Sequence, residues 1–226
     1  MKELLITWLG HACFQLRCGD TTVVIDPYRE VPGYPALHTE ADAVFASHTQ
    51  HDDHGYFDAV ALSGKDSTEP FTVHTIQVFH DDQGGALRGE NRITIFEAEG
   101  FRIAHLGDLG HMLSREQLVR LSDLDVLRIP VGSVFTIDGV QAAKLAEQIG
   151  AKLVLPMHFR KDGLGYEVID GPETFWNALP DCFVRIKAEN ACLKLQKESA
   201  SVVVDGTERT LDLNEDTKYA VLLNFQ

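Results

Sequence analysis

Three histidines and two aspartates lie within seven consecutive residues, 48–54, which read HTQHDDH. Imidazole nitrogen and carboxylate oxygen are ligands for zinc, manganese and iron(II), and a site built from them needs no cysteine. The alternative is a solvated acidic loop, but the chain has only 10 histidines in 226 residues, and three of them are concentrated here. The pattern favours a metal site, with His48, His51, Asp53 and His54 as candidate ligands.

Further candidate ligands occur at three distant places: His80 in VFHDD, Asp108 in HLGDLG and His158 in LPMHF. Taken singly, they have ordinary explanations as a surface histidine, a carboxylate that caps a loop, and a buried histidine bonded to a backbone carbonyl. Each of them, like His48, falls at or just after the end of a predicted strand. Because ligand sites in α/β proteins collect at the carboxyl ends of strands, we expect these loops to converge.

The elements that would position these residues are short apolar strands bounded by Gly, Asp and Pro, interleaved with β-α-β units. Strands are predicted at residues 4–10, 13–17, 21–26, 41–48 and 71–80, in a hairpin over 86–108, and at 125–132 and 151–159. Helices are predicted at residues 54–64, 114–123 and 138–150. No Pro/Gly/Ser-rich linker divides them, so residues 1–226 are predicted to form a single domain, with residues 190–226 as C-terminal edge strands.

Composition and charge restrict the class of partner. The formal net charge of −14 disfavours nucleic acid and anionic membrane surfaces. No apolar stretch approaches the roughly 20 residues of a transmembrane helix. The N-terminal residues MKELLITWLGHACF enter a strand-like pattern without signal-peptide features, and the four cysteines form no CxxC pair. We therefore expect a cytoplasmic protein with reduced thiols, no nucleic-acid or membrane partner, and tail strands that would suit a homo-oligomer.

The motifs occur in the order found in one enzyme superfamily: ITWLGHACFQL, VVIDP, VFASH…HDDH, FHD…GGALRGEN, HLGDLGHML, DVLRIPVG and LVLPMHF. Over residues 4–160 the chain resembles the metallo-β-lactamase superfamily and, more narrowly, its small zinc-dependent hydrolases related to the ascorbate-6-phosphate lactonases. The resemblance implies an α/β or α+β fold, a four-layer αβ/βα sandwich with a two-metal site between the sheets. It implies less about the substrate, because this fold hosts lactonases, phosphodiesterases, thioesterases, nucleases and β-lactamases.

The resemblance also implies seven metal ligands, three on each ion and one bridging both: His48, His51 and His80; Asp53, His54 and His158; and Asp108. The ions would be Zn²⁺, one or two per chain, with Mn²⁺ or Fe²⁺ as alternatives. A metal-bound hydroxide would be the nucleophile, because zinc lowers the pKa of its bound water to about 7. Asp53, near the hydroxide and the leaving group, would be the catalytic residue that transfers the proton.

The spacing of the histidines departs from the family pattern. That pattern is His-x-His-x-Asp-His, whereas this chain has His-x-x-His-x-Asp-His. Side chains two apart in an extended segment point the same way, so His48 and His51 share a side only if the backbone bulges at Thr49 and Gln50. If the family pattern is instead aligned backward from Asp53 and His54, its first ligand position falls on Thr49. We favour the bulge; the alternative is a site with one tightly held and one weakly held ion.

Two functions remain open. The first is a metal-dependent hydrolase of a small ester, lactone or phosphodiester, since the short stretch between His54 and Phe71 leaves little room for a substrate-clamping insertion. The negative charge disfavours a nuclease, and the lack of an export signal disfavours a β-lactamase. The second is a non-catalytic metal-binding or ligand-sensing protein with a degraded dinuclear site, which the shifted histidine spacing favours.

Other residues of the motifs receive structural predictions. His105 is predicted to lie in the core or to hydrogen-bond a ligand carboxylate. Asp26 is predicted to be a structural residue or to support a ligand from behind, and not to bind metal itself. Arg88 and His111 are predicted to be surface residues near the cleft, with contact to an anionic substrate as the alternative. His11 belongs to the family pattern without a role of its own.

Overall fold

Two seven-stranded sheets pack face to face in the computed structural model of the chain, which describes residues 2–49, 53–65, 67–196, 198–214 and 216–225. The strands are β1 Leu4–Gly10, β2 Cys13–Cys18, β3 Thr21–Ile25, β4 Thr39–Ala41, β5 Ala43–Phe45, β6 Val60–Leu62, β7 Thr72–Phe79, β8 Glu90–Ala98, β9 Phe101–His105, β10 Val126–Pro130, β11 Leu153–Met157, β12 Phe183–Lys187, β13 Cys192–Gln196, β14 Ser199–Val204, β15 Thr207–Asp212 and β16 Lys218–Leu222. Strands β4 and β6 form a separate two-stranded ribbon, and the others belong to the two sheets. The helices are α1 Arg115–Arg120, α2 Gly139–Ile149 and α3 Glu173–Ala178. The sheets meet where the Phe14 ring of β2 contacts the Arg128 guanidinium of β10 and the His105 ring of β9.

The first sheet has the strand order β15-β14-β13-β1-β2-β3-β5. Strands β1, β2 and β3 form an antiparallel meander, and β5 joins its edge parallel to β3. In β1 the side chains of Leu4, Ile6 and Trp8 are buried and the residues between them less so, because alternate residues of a strand face opposite sides. The short β5 carries the chain toward residues 48–54.

The second sheet has the strand order β12-β16-β11-β10-β9-β8-β7. Strands β9, β10, β11, β16 and β12 are parallel, while β8 is antiparallel to both β9 and β7. Strands β10 and β11 are buried along their whole length, as expected of parallel strands covered on both faces. Strands β7, β9, β10 and β11 therefore run in one direction and end at the same edge.

Local signals set the helix boundaries. Helices α1 and α2 begin with capping boxes, Ser114 with Gln117 and Asp138 with Gln141, and α2 ends at Gly150 in the left-handed conformation. No helix among the described residues combines the length and the apolar character that a membrane span requires.

The helix predicted over residues 54–64 is wrong. The chain forms a single 3₁₀ turn at Phe57–Ala59 and then enters β6. Strand β6 pairs in parallel with β4, from Thr39 opposite Val60 to Ala41 opposite Leu62. Hydrogen bonds to a distant strand therefore replace those that a helix would have made locally.

The C-terminal strands divide between the two sheets. Strands β13, β14 and β15 extend the first sheet outward from β1 to its edge, the position predicted for residues 190–226. Strand β16, by contrast, lies between β11 and β12 in the interior of the second sheet, with Ala220 and Val221 fully buried.

Candidate metal centre

A buried carboxylate, that of Asp108, lies among three imidazole rings. Its Oδ1 atom is 3.0 Å from His54 Nε2, and its Oδ2 atom is 3.2 Å from His80 Nε2 and 3.2 Å from His158 Nε2. All four side chains are buried. We refer to these four residues as the Asp108 cluster. A carboxylate with two oxygens and several imidazoles at this spacing can hold one cation or bridge two.

The ends of several strands bring these side chains together. His80 directly follows β7, His158 directly follows β11, and Asp108 comes shortly after β9. From the first sheet, His48 comes shortly after β5. These loops converge, as their positions after predicted strands led us to expect, because the strands end at one edge and the loops are held on rigid sheets.

Glycines let two of the loops approach closely. A Cβ atom at Gly132, after β10, would overlap the carbonyl oxygen of His158, and a Cβ atom at Gly110 would overlap the backbone of His80. His158 itself has a φ of 52°, in the left-handed region. Both histidines are thus fixed by backbone packing that no larger residue at the two glycines would permit.

His48 is part of the site. The centroid of its ring is 4.6 Å from that of His54 and 4.8 Å from that of His80. Ligand atoms of His48, His80 and Asp108 all lie within 4.8 Å of one another. His48 can therefore share a cation with the Asp108 cluster.

Asp26 anchors the segment that carries His48. Its carboxylate accepts hydrogen bonds from Ser47 N at 2.6 Å and Ser47 Oγ at 2.8 Å, and Ser47 Oγ is in turn 3.1 Å from His48 Nδ1. His105 Nε2 lies 2.7 Å from Asp26 Oδ2. Asp26 is structural, as predicted. His105 contacts this carboxylate and not that of a candidate metal ligand, because β9 faces the first sheet where Asp26 follows β3.

Asp53 lies at the solvent side of the centre. Its Oδ1 atom is 3.5 Å from His54 Nδ1, and its side chain is 19% exposed whereas that of His54 is fully buried. His51 lies outside the described residues, and so does Gln50, where the bulge is predicted. His48 lies at the site, whereas the bulge and the role of His51 stay predictions.

Burial and mutual interaction shift the pKa values in the centre. Burial, assisted by the neighbouring His54, lowers the pKa of His48 to about 4, so this ring is neutral at pH 7 and has a lone pair for a cation. Burial opposes charge on Asp108, but His158 and His54 hold the pKa of its carboxyl well below the usual range. Burial opposes charge on His54 too, yet Asp108 raises the pKa of that imidazole well above its ordinary value.

Several donor atoms of the centre are buried and have no hydrogen-bond partner among the described residues: His48 Nε2, both nitrogens of His54, Asp53 Oδ1 and Asp108 Oδ1. The 3.0 Å approach of His54 Nε2 to Asp108 Oδ1 is an ion-pair distance without hydrogen-bond alignment. Each unpaired buried polar atom costs about 1–3 kcal/mol. Metal ions would give partners to such atoms, with one nitrogen from each imidazole, so the residues present fit a metal site.

A cavity of about 390 Å³ opens above the centre. Asp53, His80 and Asp108 line one side of it. The remaining lining residues are Glu30, Arg88, Phe135 and Tyr166. Burial, with the nearby Asp53 carboxylate, raises the pKa of Tyr166 to about 12, so its hydroxyl stays protonated and can donate a hydrogen bond to a ligand.

Arg88 is the cationic residue of the cavity lining. Its Nη2 donates to Val134 O at 2.9 Å, and its guanidinium carbon lies 5.9 Å from the centroid of Phe135. The loop that presents it is tied to Asp81, whose carboxylate accepts hydrogen bonds from the backbone N–H groups of Arg88 and three other loop residues. Arg88 therefore belongs to the cavity, which favours contact with an anionic substrate, the alternative prediction for this residue.

Sequence reasoning missed three residues of the cavity and gave His11 no role. Glu30, Phe135 and Tyr166 stand in no motif, and their approach to the centre depends on packing between distant loops. The signal for His11 was present: its motif GHACF places a histidine just after a predicted strand, as at His48.

Comparisons with known proteins agree with this geometry. The family model for the beta-lactamase superfamily domain matches residues 5–158. A metal-dependent hydrolase of Methanoculleus marisnigri is 33% identical over an alignment of 186 residues, which covers 68% of this chain and 80% of the relative.

Solved structures share the fold. A crystal structure from Thermotoga maritima, described as a Zn-dependent hydrolase of the metallo-beta-lactamase superfamily, has a TM-score of 0.67 and 25% identity, and the match covers 99% of this chain and 100% of that one. A metal-dependent hydrolase structure from Parabacteroides distasonis has a TM-score of 0.62 and 21% identity, with 80% and 90% of the two chains covered.

These matches confirm the predicted αβ/βα sandwich, while the narrower resemblance to ascorbate-6-phosphate lactonases stays a prediction. Three findings agree on the family. They are the buried histidine–aspartate centre at the strand ends, the family model that covers most of the chain, and the relative at 33% identity. The chain belongs to the metallo-β-lactamase superfamily and, within it, to a family of metal-dependent hydrolases.

Proposed function

We propose that this protein hydrolyses a small ester, lactone or phosphodiester with the help of zinc. The observation that carries the proposal is the Asp108 carboxylate, which lies 3.0–3.2 Å from three imidazole nitrogens and also lines the cavity. A substrate in the cavity would therefore lie next to any ion in the centre.

The ligands that we propose are those implied by the family pattern: His48, His51 and His80 for one ion; Asp53, His54 and His158 for the other; and Asp108 for both. This donor set favours zinc, manganese or iron(II) over calcium or magnesium, because imidazole suits borderline transition metals. A bound zinc ion would lower the pKa of its water so that a hydroxide nucleophile is available near pH 7, and would polarise the carbonyl or phosphoryl oxygen of the substrate.

Asp53 is the proposed proton carrier. Among the ligand candidates that the structure describes, it has the largest exposed fraction, 19%, and it lines the cavity. Burial opposes its ionisation, but the His54 imidazole, 3.5 Å away, holds the pKa of its carboxyl below the usual range. As a carboxylate it can accept a proton from the attacking water and return it to the leaving oxygen.

The cavity supports a small substrate. Its volume of about 390 Å³ lies near the lower end of the roughly 300–1,000 Å³ typical of small-molecule sites. A guanidinium has five N–H donors and binds carboxylate and phosphate, so Arg88 favours a substrate that carries an anionic group. Tyr166, protonated at neutral pH, can donate a hydrogen bond to the same ligand.

The test combines metal content with turnover. Protein purified without chelator is analysed for metal by plasma mass spectrometry and then assayed with carboxylic esters, lactones and phosphodiesters. We expect about two ions per chain and hydrolysis that a chelator removes and added Zn²⁺ restores. Bound metal without turnover of any of the three substrate classes would instead support the non-catalytic binding protein, which the His-x-x-His spacing favours. Absence of bound metal would overturn the proposal.

A further inference from the structure

A histidine outside the predicted ligand set, His11, is held beside the centre by its backbone. It follows β1, whose pairing with β2 shifts register between Trp8 and Gly10. Its carbonyl oxygen accepts hydrogen bonds from Trp8 Nε1 at 2.9 Å and from the backbone N of His158 at 3.2 Å. Its φ of 50° lies in the left-handed region, which non-glycine residues seldom adopt. The His11 backbone is therefore locked to the loop that carries His158.

The His11 side chain points into the centre. The ring is fully buried, and its centroid lies 4.1 Å from that of His158 and 5.3 Å from that of His54. One nitrogen from each of these three residues can be chosen so that all lie within 4.8 Å of one another. Neither nitrogen of His11 has a hydrogen-bond partner among the described residues.

A purely structural role does not explain this arrangement. The His11 ring meets Tyr166 edge to face, with centroids 5.6 Å apart, and a phenylalanine would make that contact as well. A phenylalanine would also avoid the desolvation of two ring nitrogens, for which the fold supplies no partner among its described residues. An imidazole at this position is advantageous only if a nitrogen binds something that phenylalanine cannot.

We propose that His11 is a metal ligand and that, with His54 and His158, it forms a three-imidazole position for a borderline transition-metal ion such as Zn²⁺ or Co²⁺. The inference rests on the proposed function only in that both need metal in this centre. Three imidazoles are the protein ligands of one common type of catalytic zinc site. Asp53, which the family pattern gives to the same ion and which lines the cavity, would join these imidazoles from the cavity side.

The ligand type also sets the metal preference. Calcium and magnesium favour oxygen donors, whereas imidazole favours zinc, cobalt and other transition metals. A position with three imidazoles therefore discriminates against Mg²⁺ and Ca²⁺ more strongly than one with two imidazoles and a carboxylate. Removing His11 should reduce this discrimination.

The variants that test the role of His11 are His11→Phe, which keeps the ring volume, and His11→Asn, which tolerates the left-handed backbone. The matched control is His38→Asn, at an exposed histidine outside the centre. Each full-length protein is stripped with a chelator and titrated with Co²⁺ and Zn²⁺. The readouts are ions bound per chain, affinity and the visible absorption of bound Co²⁺, which reports the nitrogen ligands directly.

We expect both His11 variants to lose about one ion per chain, or to bind it more than about 100-fold more weakly, with a changed Co²⁺ spectrum. His38→Asn should behave as wild type. An unchanged spectrum and stoichiometry in either folded His11 variant would overturn the proposal, even if affinity falls, because a positioning residue would also lower affinity. Failure of the wild type to bind any metal would overturn the proposed function itself.

Thermal unfolding provides a second readout that a structural role would not reproduce. In the metal-free state His11→Phe should melt at or above the wild-type temperature, because it removes two unpaired buried nitrogens. In the presence of Zn²⁺ the wild type should gain more stability than the variant, because ligand binding to the folded state raises its stability. A variant that melts lower than wild type without metal and gains equally from Zn²⁺ would contradict ligation by His11.

Discussion

At the scale of single residues, Asp108 holds the centre together because it is the anion that the surrounding imidazoles share. Its two oxygens approach His54, His80 and His158 within 3.2 Å. Since the carboxyl is buried, its charge needs stabilisation by these imidazoles or by a cation. Neutralising Asp108 therefore removes the anion that His54, His80 and His158 share.

We expect Asp108→Asn to lower the metal content from about two ions per chain to about one or none, with hydrolysis reduced roughly 100-fold or more. An amide keeps the size of the side chain but cannot bridge two cations as a carboxylate does. Plasma mass spectrometry on the folded variant measures the change. Asp123→Asn, at an exposed residue whose left-handed backbone suits Asn, is the control and should retain its metal. Wild-type metal content in Asp108→Asn would contradict the assignment.

The other prediction at this scale concerns Arg88 and the charge of the substrate. Arg88→Met keeps the packing on Phe135 but removes the charge. We expect kcat/KM to fall about 10- to 100-fold for an anionic substrate and to change less than about threefold for a neutral analogue, because a charged hydrogen bond contributes roughly 1.5–3 kcal/mol. Steady-state kinetics on the matched pair of substrates decides it, with Arg209→Met as the control. An equal loss for both substrates would mean that Arg88 shapes the cavity without recognising charge.

At the scale of elements, the loop after β5 depends on a strand-end carboxylate. Asp26 accepts both hydrogen bonds of Ser47 and contacts His105, so the end of β3 fixes the start of the metal-binding segment. Burial opposes ionisation of Asp26, but the charge and hydrogen bond of His105 together lower the pKa of its carboxyl. The stabilisation from this carboxylate is therefore present above its unfolded pKa, about 3.9, and is lost as the pH falls through the lower folded pKa.

Asp26→Asn should destabilise the metal-free protein most at neutral pH, by roughly 1.5–3 kcal/mol, because a neutral amide replaces the charged acceptor of the Ser47 hydrogen bonds. The difference from wild type should shrink as the pH falls below about 4, because the unfolded wild-type chain then binds a proton at Asp26, and the folded carboxyl follows at a lower pH. Urea unfolding between pH 3 and pH 7 measures both effects.

Asp42→Asn is the matched control for that experiment. Its carboxylate accepts the backbone N–H of Thr22 at 2.8 Å, but it lies outside the metal centre. Both variants should lose stability, and only Asp26→Asn should weaken metal binding, because only Asp26 positions His48. A destabilisation by Asp26→Asn that stayed constant down to pH 3 would refute the pKa argument.

At the scale of the whole molecule, the metal centre joins the two sheets. His48 comes from the first sheet, and His80, Asp108 and His158 come from the second. An ion held by both would bind the folded state and not the unfolded chain, and so would stabilise the packing of one sheet on the other.

We expect a chelator to lower the melting temperature on the order of 10 °C. At free metal of about 1,000 times Kd, binding contributes roughly 4 kcal/mol, and each kcal/mol shifts the melting temperature of a chain of this size by about 2–4 °C. Differential scanning fluorimetry with and without chelator, and after Zn²⁺ is restored, checks this. A melting temperature that does not respond to chelator would mean that the sheets pack without help from metal.

Local sequence patterns were sufficient to predict those parts of the structure that depend on residues close together in the chain. The capping box at Ser114 and Gln117 is present in the structure because its hydrogen bonds span only three residues. The strands before His80, Asp108 and His158 could be identified because alternation and apolar runs are properties of short segments. Residue type alone indicated a metal site, since histidine and aspartate in one loop have few other uses.

Tertiary structure decided what depends on contacts between distant segments. Residues 60–62 form β6 because β4 lies beside them, and this pairing overrides the helix that the local sequence pattern suggested. Arg88 joins the cavity through Phe135, and His11 reaches His54 and His158 through a bulge in β1. The sequence by itself determined which residues can bind metal. Only the folding of two sheets against each other determined which of them meet, because distances between loops are set by strand pairing and core packing.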